Sequence, residues 1–187
     1  MNSQLAAVVE EFGSARSRLH RLAAAVPAAR WGERADPARW SVAECVAHLN
    51  LTSRAYLPLL HDAIDRARTL GATTPAPARH RRDPVGWLLW RTSGPVKRVG
   101  RVRTTAPFVP SGDLPRDEVL AEFERLQDEQ VAAVRAADGL PLGRVRVVSP
   151  FDARVRYNLY ACLTILPRHQ HRHLFQAERV WGTAAGS

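Results

Sequence analysis

An all-α four-helix bundle, ordered up-down-down-up, is the fold class this sequence predicts. Three observations carry it. Four segments repeat their apolar residues at helical spacing. No segment alternates like a strand over any length; GRVRVV (143–148) comes nearest and is short. The connections fall into two of about 15 residues, one after each odd-numbered helix, and one of about 40 between helices two and three. Each short connection suits an antiparallel pair, and the long one can return along the bundle, leaving helices two and three parallel. In that arrangement helices two and four run antiparallel.

The first helix is expected from about Asn2 to Val26, with Leu5, Val8, Val9, Phe12, Leu19, Leu22 and Val26 on one face. In SVAE (41–44), Ser41 is an N-cap and Glu44 its reciprocal partner three residues on, which is a capping box. The second helix carries Val42, Cys45, Val46, Leu49, Tyr56, Leu60 and Ile64 and ends near Gly71, with Pro58 expected to kink it. A crossover, residues 71–113, follows, with a short helix expected around DPVGWLLW (83–90). The third helix starts after SGDLPRDE, whose acids suit a positive helix end, and stops at Gly139. The fourth is expected from Val155 to Trp181. Its apolar YNLYACLTIL (157–166) belongs at the centre, and Pro167 leaves a kink or a break open.

The chain has 187 residues and a hydrophobic fraction of 45%, which suits one domain over residues 1–187. No apolar run is long enough for a membrane span, and the N-terminus lacks the basic and apolar regions of a signal peptide. Cys45 and Cys162 are too few for a disulfide scaffold. A cytoplasmic protein is the expectation. The 27 basic and 18 acidic residues give a net charge of +9, concentrated between Arg79 and Arg103, where Asp83 is the only acid. No nucleic-acid-binding motif accompanies this basic segment, so a solvated loop is expected there rather than a nucleic-acid site.

RHQHRHLFQAERV (168–180) holds three histidines in five residues. On a helix His169 and His173 share a face, whereas His171 points about 200° away from either. An i, i+4 pair can grip one ion, but two ligands are a weak signal and a third is needed. His48 lies roughly 10 Å along helix two from its cap, and the pair lies roughly 16 Å from the end of helix four. With those helices antiparallel, all three fall toward one end of the bundle. His20, His61 and His80 have no such placement and are expected at the surface or rim.

RWSVAECVAHL (39–49), RTTAPFVP (103–110) and LPRHQHRHLFQAERV (166–180) together resemble the DinB/YfiT-like superfamily, across essentially the whole chain. The shared pattern is a Trp-Ser helix start, a His about two turns on, and a late His-x-x-x-His followed by Gln. The resemblance implies a divalent ion, zinc or nickel, held by His48, His169, His173 and water. It also implies frequent homodimers. Family members with assigned activity look like transferases or isomerases that use a low-molecular-weight thiol, which a 2+ ion can deprotonate.

Around that site Glu44 and Gln176 are candidates to orient a ligand. Arg101 and Arg103 are candidates to hold an anionic substrate or the carboxylates of a thiol, and Trp87 and Trp90 to roof a pocket. Cys162 reads as a core residue. Two function classes stand open: a metal-dependent enzyme acting on a small molecule, and a non-catalytic, stress-associated metal-binding interaction protein. No general base such as the Glu of His-Glu-x-x-His follows either ligand.

Overall fold

Asn2 opens the first helix by accepting the Gln4 N–H on its side chain, and α1 runs Ser3–Ala25. This computed structural model of the chain describes residues 1–34, 36–95, 104, 106–110 and 115–184. The Ser41–Glu44 capping box is present in full and starts α2, Val42–Gly71, which continues through Pro58. Asp83 caps the short crossover helix α3, Pro84–Thr92, where Pro84 costs nothing because the first helical N–H has no partner anyway. Helix α4, Arg116–Ala136, has Asp117 and Glu118 in its first turn. It is followed by Gly139 at φ 75°, in the left-handed region that a glycine enters without steric cost. The last helix, α5, spans Leu159–Ala184.

Two expectations are corrected. The described residues hold an antiparallel hairpin, β1 Arg146–Ser149 and β2 Asp152–Asn158, with Val147 opposite Tyr157, so the chain is mainly helical rather than all-α. Residues 155–158, expected to begin the last helix, belong to β2. There Val155 and Tyr157 point toward the core side and Arg154 and Arg156 outward, a strand periodicity. The Asn158 side chain then caps α5 by accepting the Ala161 N–H. Pro167 does not break α5.

Contacts along the long helices fix their relative senses. Gln4 donates to Tyr160 Oη at 2.9 Å near the starts of α1 and α5, and Arg18 pairs with Glu178 near their ends, so these two run parallel. Helix α4 opposes α1: Gln127 donates to the Phe12 carbonyl, and Arg116 to the Ala23 carbonyl. Helix α2 runs with α4, because Asn50 donates to the Val119 carbonyl and Arg54 pairs with Glu122. His48 meets His173 well along α5, while Tyr56, farther along α2, bonds Tyr157 just before α5 begins, so α2 and α5 are opposed.

Leu5, Phe12, Leu60, Tyr157 and Leu163 lie in one buried cluster; Leu19, Trp31, Val46, Phe123 and Leu174 lie in another. The crossover helix docks through Gly86. A Cβ there would fall 2.3 Å from the Ala161 Cβ and 2.6 Å from Asp83 Oδ1. Gly86→Ala must push α3 off α5, and overpacking of this kind costs about 1–3 kcal/mol. We expect a melting temperature lower by roughly 2–12 °C on thermal denaturation; an unchanged value would show that α3 is not packed this closely.

Candidate metal centre

Helical phase places His169 and His173 on the α5 face toward α2, and the capping box sets where α2 begins and hence where His48 points. The three side chains meet. Ring centroids are 4.4 Å apart for His48 and His173, 4.5 Å for His169 and His173, and 5.3 Å for His48 and His169. One nitrogen from each lies within 4.8 Å of the others, and the group can hold a metal ion. His48 and His173 are buried, and His169 keeps partial access to solvent.

The tautomer of His48 is set from outside the cluster. Its Nδ1 lies 2.8 Å from the Phe108 carbonyl oxygen. A carbonyl only accepts, so Nδ1 carries the proton and Nε2 keeps its lone pair. This is the arrangement that orients a metal-binding imidazole. Phe108 comes from the AP-rich end of the crossover, in a short 3₁₀ turn, Ala106–Phe108. His173 Nδ1 is buried with no hydrogen-bond partner.

All three rings are held neutral. Burial lowers the pKa of His48, and the charge of Arg172 adds to it, against the Phe108 bond, which raises it. Burial pushes His169 down to about 3, helped by His48 and Arg172. Burial also holds His173 well below the usual imidazole range, reinforced by His169, His48 and Arg172 and opposed by the Gln176 side chain. Three neutral imidazoles, one pre-oriented and one with a buried free nitrogen, form a donor set that fits a divalent ion.

A family model of the DinB superfamily matches residues 11–177. The chain belongs to the DinB superfamily. No curated protein and no solved structure matches it. The resemblance carried by the Trp-Ser helix start and the late His-x-x-x-His is thereby confirmed at the level of family.

In this DinB-superfamily chain the remaining sequence candidates fall out differently. Neighbours of His171 are Glu11, Arg18 and Glu178, on the α1 side and away from the cluster, as its helical phase requires. The Glu44 carboxylate is occupied by the Ser41 N–H and by Arg34, so its place is the cap. Gln176 does stand beside His173. Trp87 is 49% exposed and lies beside Arg91. Trp90 packs against the core, next to Arg82 and Arg168. Among the described residues, neither tryptophan makes a ring contact with the three histidines. Arg101 and Arg103 lie outside the described residues.

Cys162 is fully buried and its thiol pKa is raised by that burial, so it is a core residue. His20 and His61 are exposed as expected. His80 is not: it is 3% exposed and stacks on Tyr160, 5.3 Å between centroids. The crossover folds it inward, where its backbone N–H donates to Gln4.

Sequence reasoning missed three neighbours of the cluster. Trp40, just before the Ser41 cap, places its ring 4.9 Å from His48 and 6.0 Å from His173. Phe151, in the hairpin turn, lies 6.3 Å from His169 and 4.1 Å from Phe108. Arg172 sits between the two α5 histidines in sequence. Trp40 was legible in the motif that contains His48; the other two carried no signal of their own.

Proposed function

We propose that His48, His169 and His173 hold one divalent ion, zinc or nickel, in an open site that serves a thiol-dependent transfer or isomerisation of a small molecule. The convergence of the three neutral imidazoles, with His48 oriented by the Phe108 carbonyl, is the observation that supports it. A bound ion supplies Lewis acidity, lowering the pKa of a water or thiol placed on it. The chain's own groups do the rest. Phe108 fixes which His48 nitrogen faces the site. Trp40 and Phe151 flank the cluster with aromatic surface. Arg172 brings a positive charge within Coulombic range of all three rings, which favours an anionic ligand nearby.

The wider reading is a single domain over residues 1–187. The helix senses support an up-down-down-up four-helix bundle with a crossover at 71–113. We place it in the cytoplasm, as a homodimer, with no nucleic-acid partner. Among the described residues no helix is long and apolar enough to cross a membrane.

The test is a conjugation assay with several low-molecular-weight thiols and electrophiles, on protein of measured metal content. Turnover that scales with metal occupancy and is lost in His173→Ala is the expected result. Full occupancy with no thiol consumed across the panel would favour the non-catalytic metal-binding role.

A further inference from the structure

Outside the histidine cluster, the described residues hold a second concentration of unneutralised charge. Arg82 and Arg168 both lie against one indole: their guanidinium carbons are 4.2 and 4.3 Å from the Trp90 ring centroid. The two cations are therefore at most about twice that distance apart, and the charge of Arg168 acts on Arg82. Among the described residues neither forms an ion pair with a carboxylate. Glu11 of α1 attracts Arg82 only from beyond ion-pair distance.

Both side chains are half-buried and held in place. Arg82 Nε donates to Thr164 Oγ1 at 2.8 Å, and its guanidinium also lies 5.4 Å from the Tyr160 ring. Arg168 Nε is buried with no hydrogen-bond partner. Gly94 lets it sit there: a Cβ on Gly94 would come within 2.7 Å of the guanidinium carbon. Thr164, Arg168 and Arg172 follow one another at intervals of four on α5, so they share a face. Arg172 donates to the Thr92 carbonyl at the end of α3 and bears electrostatically on all three histidines. The cationic row thus leads from Arg82 to the edge of the cluster.

Bringing like charges together in a partly desolvated place costs stability, and burial together with Arg168 lowers the pKa of Arg82. Stacking on the indole offsets part of this, since guanidinium–aromatic contacts stabilise both partners. It does not satisfy the guanidinium N–H groups, which are built to take a carboxylate or phosphate in a forked pair.

We infer that Arg82 and Arg168, braced on Trp90 between α3 and α5, form a binding site for the oxyanion group of a small ligand. The chemistry is that of a phosphate or a carboxylate. The site is made by the described end of the basic crossover and by α5, without Arg101 or Arg103. It does not depend on the histidines holding a metal.

Calorimetric titration with inorganic phosphate and with succinate tests this, on the protein as purified and after metal stripping. Saturable binding that survives stripping is expected, because an anion that merely ligates a metal would be lost with it. The tighter of the two ligands identifies which oxyanion the site prefers. Arg168→Ala and Arg82→Ala should each weaken binding at least tenfold, while Arg21→Ala, which removes the same charge from an exposed position on α1, should leave it within twofold. Gly94→Ala is the second variant: it keeps every charge but displaces the Arg168 guanidinium, and it should weaken binding at least threefold with the circular dichroism spectrum unchanged. No saturable binding of either anion up to about 10 mM, or equal losses in Arg21→Ala and Arg168→Ala, would overturn the site.

Discussion

We expect His48→Ala, His169→Ala and His173→Ala each to leave the purified protein with less than about a tenth of the divalent metal of the parent, for which about one ion per chain is the expected content. His171→Ala should keep it. The contrast follows from geometry. Three imidazoles offer nitrogens within 4.8 Å of one another, whereas His171 is turned to Glu11 and Arg18 on α1. A pair of histidines left by any single substitution is an incomplete site for an ion that prefers three protein ligands with one open position. Elemental analysis after dialysis against a weak chelator reads the result. Full occupancy in His48→Ala would remove α2 from the site. Loss in His171→Ala with retention in His169→Ala would mean that the ligand face of α5 is wrong. Trp40→Ala serves as a control on packing: it strips aromatic surface from His48 and His173 without removing a nitrogen, so metal should be retained.

How much of this site could be read from the sequence divides along physical lines. The i, i+4 spacing of His169 and His173 and the Ser41–Glu44 capping box are local, and local geometry fixes their consequences. One sets the face and the other sets the helical phase of His48. The antiparallel relation of α2 and α5, needed to bring His48 to the pair, came from connection lengths. The Phe108 contact has no such signature, because the atom that orients His48 is a backbone carbonyl, and every residue has one. Arg172 and Phe151 reach the cluster only through tertiary packing. So does the burial of His80, which looks like an exposed crossover residue until the crossover is folded onto α1 and α5.

The hairpin was missed for a different reason. Its strands are only four and seven residues long. The alternation of Ala153, Val155 and Tyr157 with Arg154 and Arg156 runs directly into an apolar helix, and periodicity over so short a window does not separate the two. The error mattered little to the ligands, since the helix boundary moved by one turn at the end of α5 far from His169. It mattered more to the surroundings, because the turn of that hairpin supplies Phe151.

The metal-free protein should lose stability as the pH falls from about 6.5, and His169 should account for a measurable share of the loss. Its folded pKa is pushed down to about 3, mainly by burial, while in the unfolded chain it titrates near the ordinary value. Between those two values the unfolded state binds a proton that the folded state refuses. Stability therefore rises with pH across the window, is fully present above about 6.5, and drains away on acidification toward 3. Each histidine held neutral contributes a slope on the order of 1.4 kcal/mol per pH unit within its window. His48 and His173 are shifted in the same direction by the same dominant cause, burial, and add to the slope. Glu44, Asp138 and Asp152 have lowered pKa values, so their losses begin only near the ordinary carboxylate range and stay out of the way above pH 5. Urea unfolding of the stripped protein at several pH values between 7.5 and 5 measures the slope, and His169→Gln should reduce it by up to one proton per molecule. Buried His80 and half-buried His171 remain as background in both proteins, so the difference between the two slopes reports His169 together with its effect on the neighbouring His173. Added zinc should stabilise the parent by about 4 kcal/mol at a thousandfold excess over its dissociation constant, and that gain should shrink as acid competes for the same nitrogens. Equal slopes for parent and His169→Gln would mean that His169 takes up its proton over the same pH range folded and unfolded, so the fold would not hold it neutral as a ready metal ligand across the window.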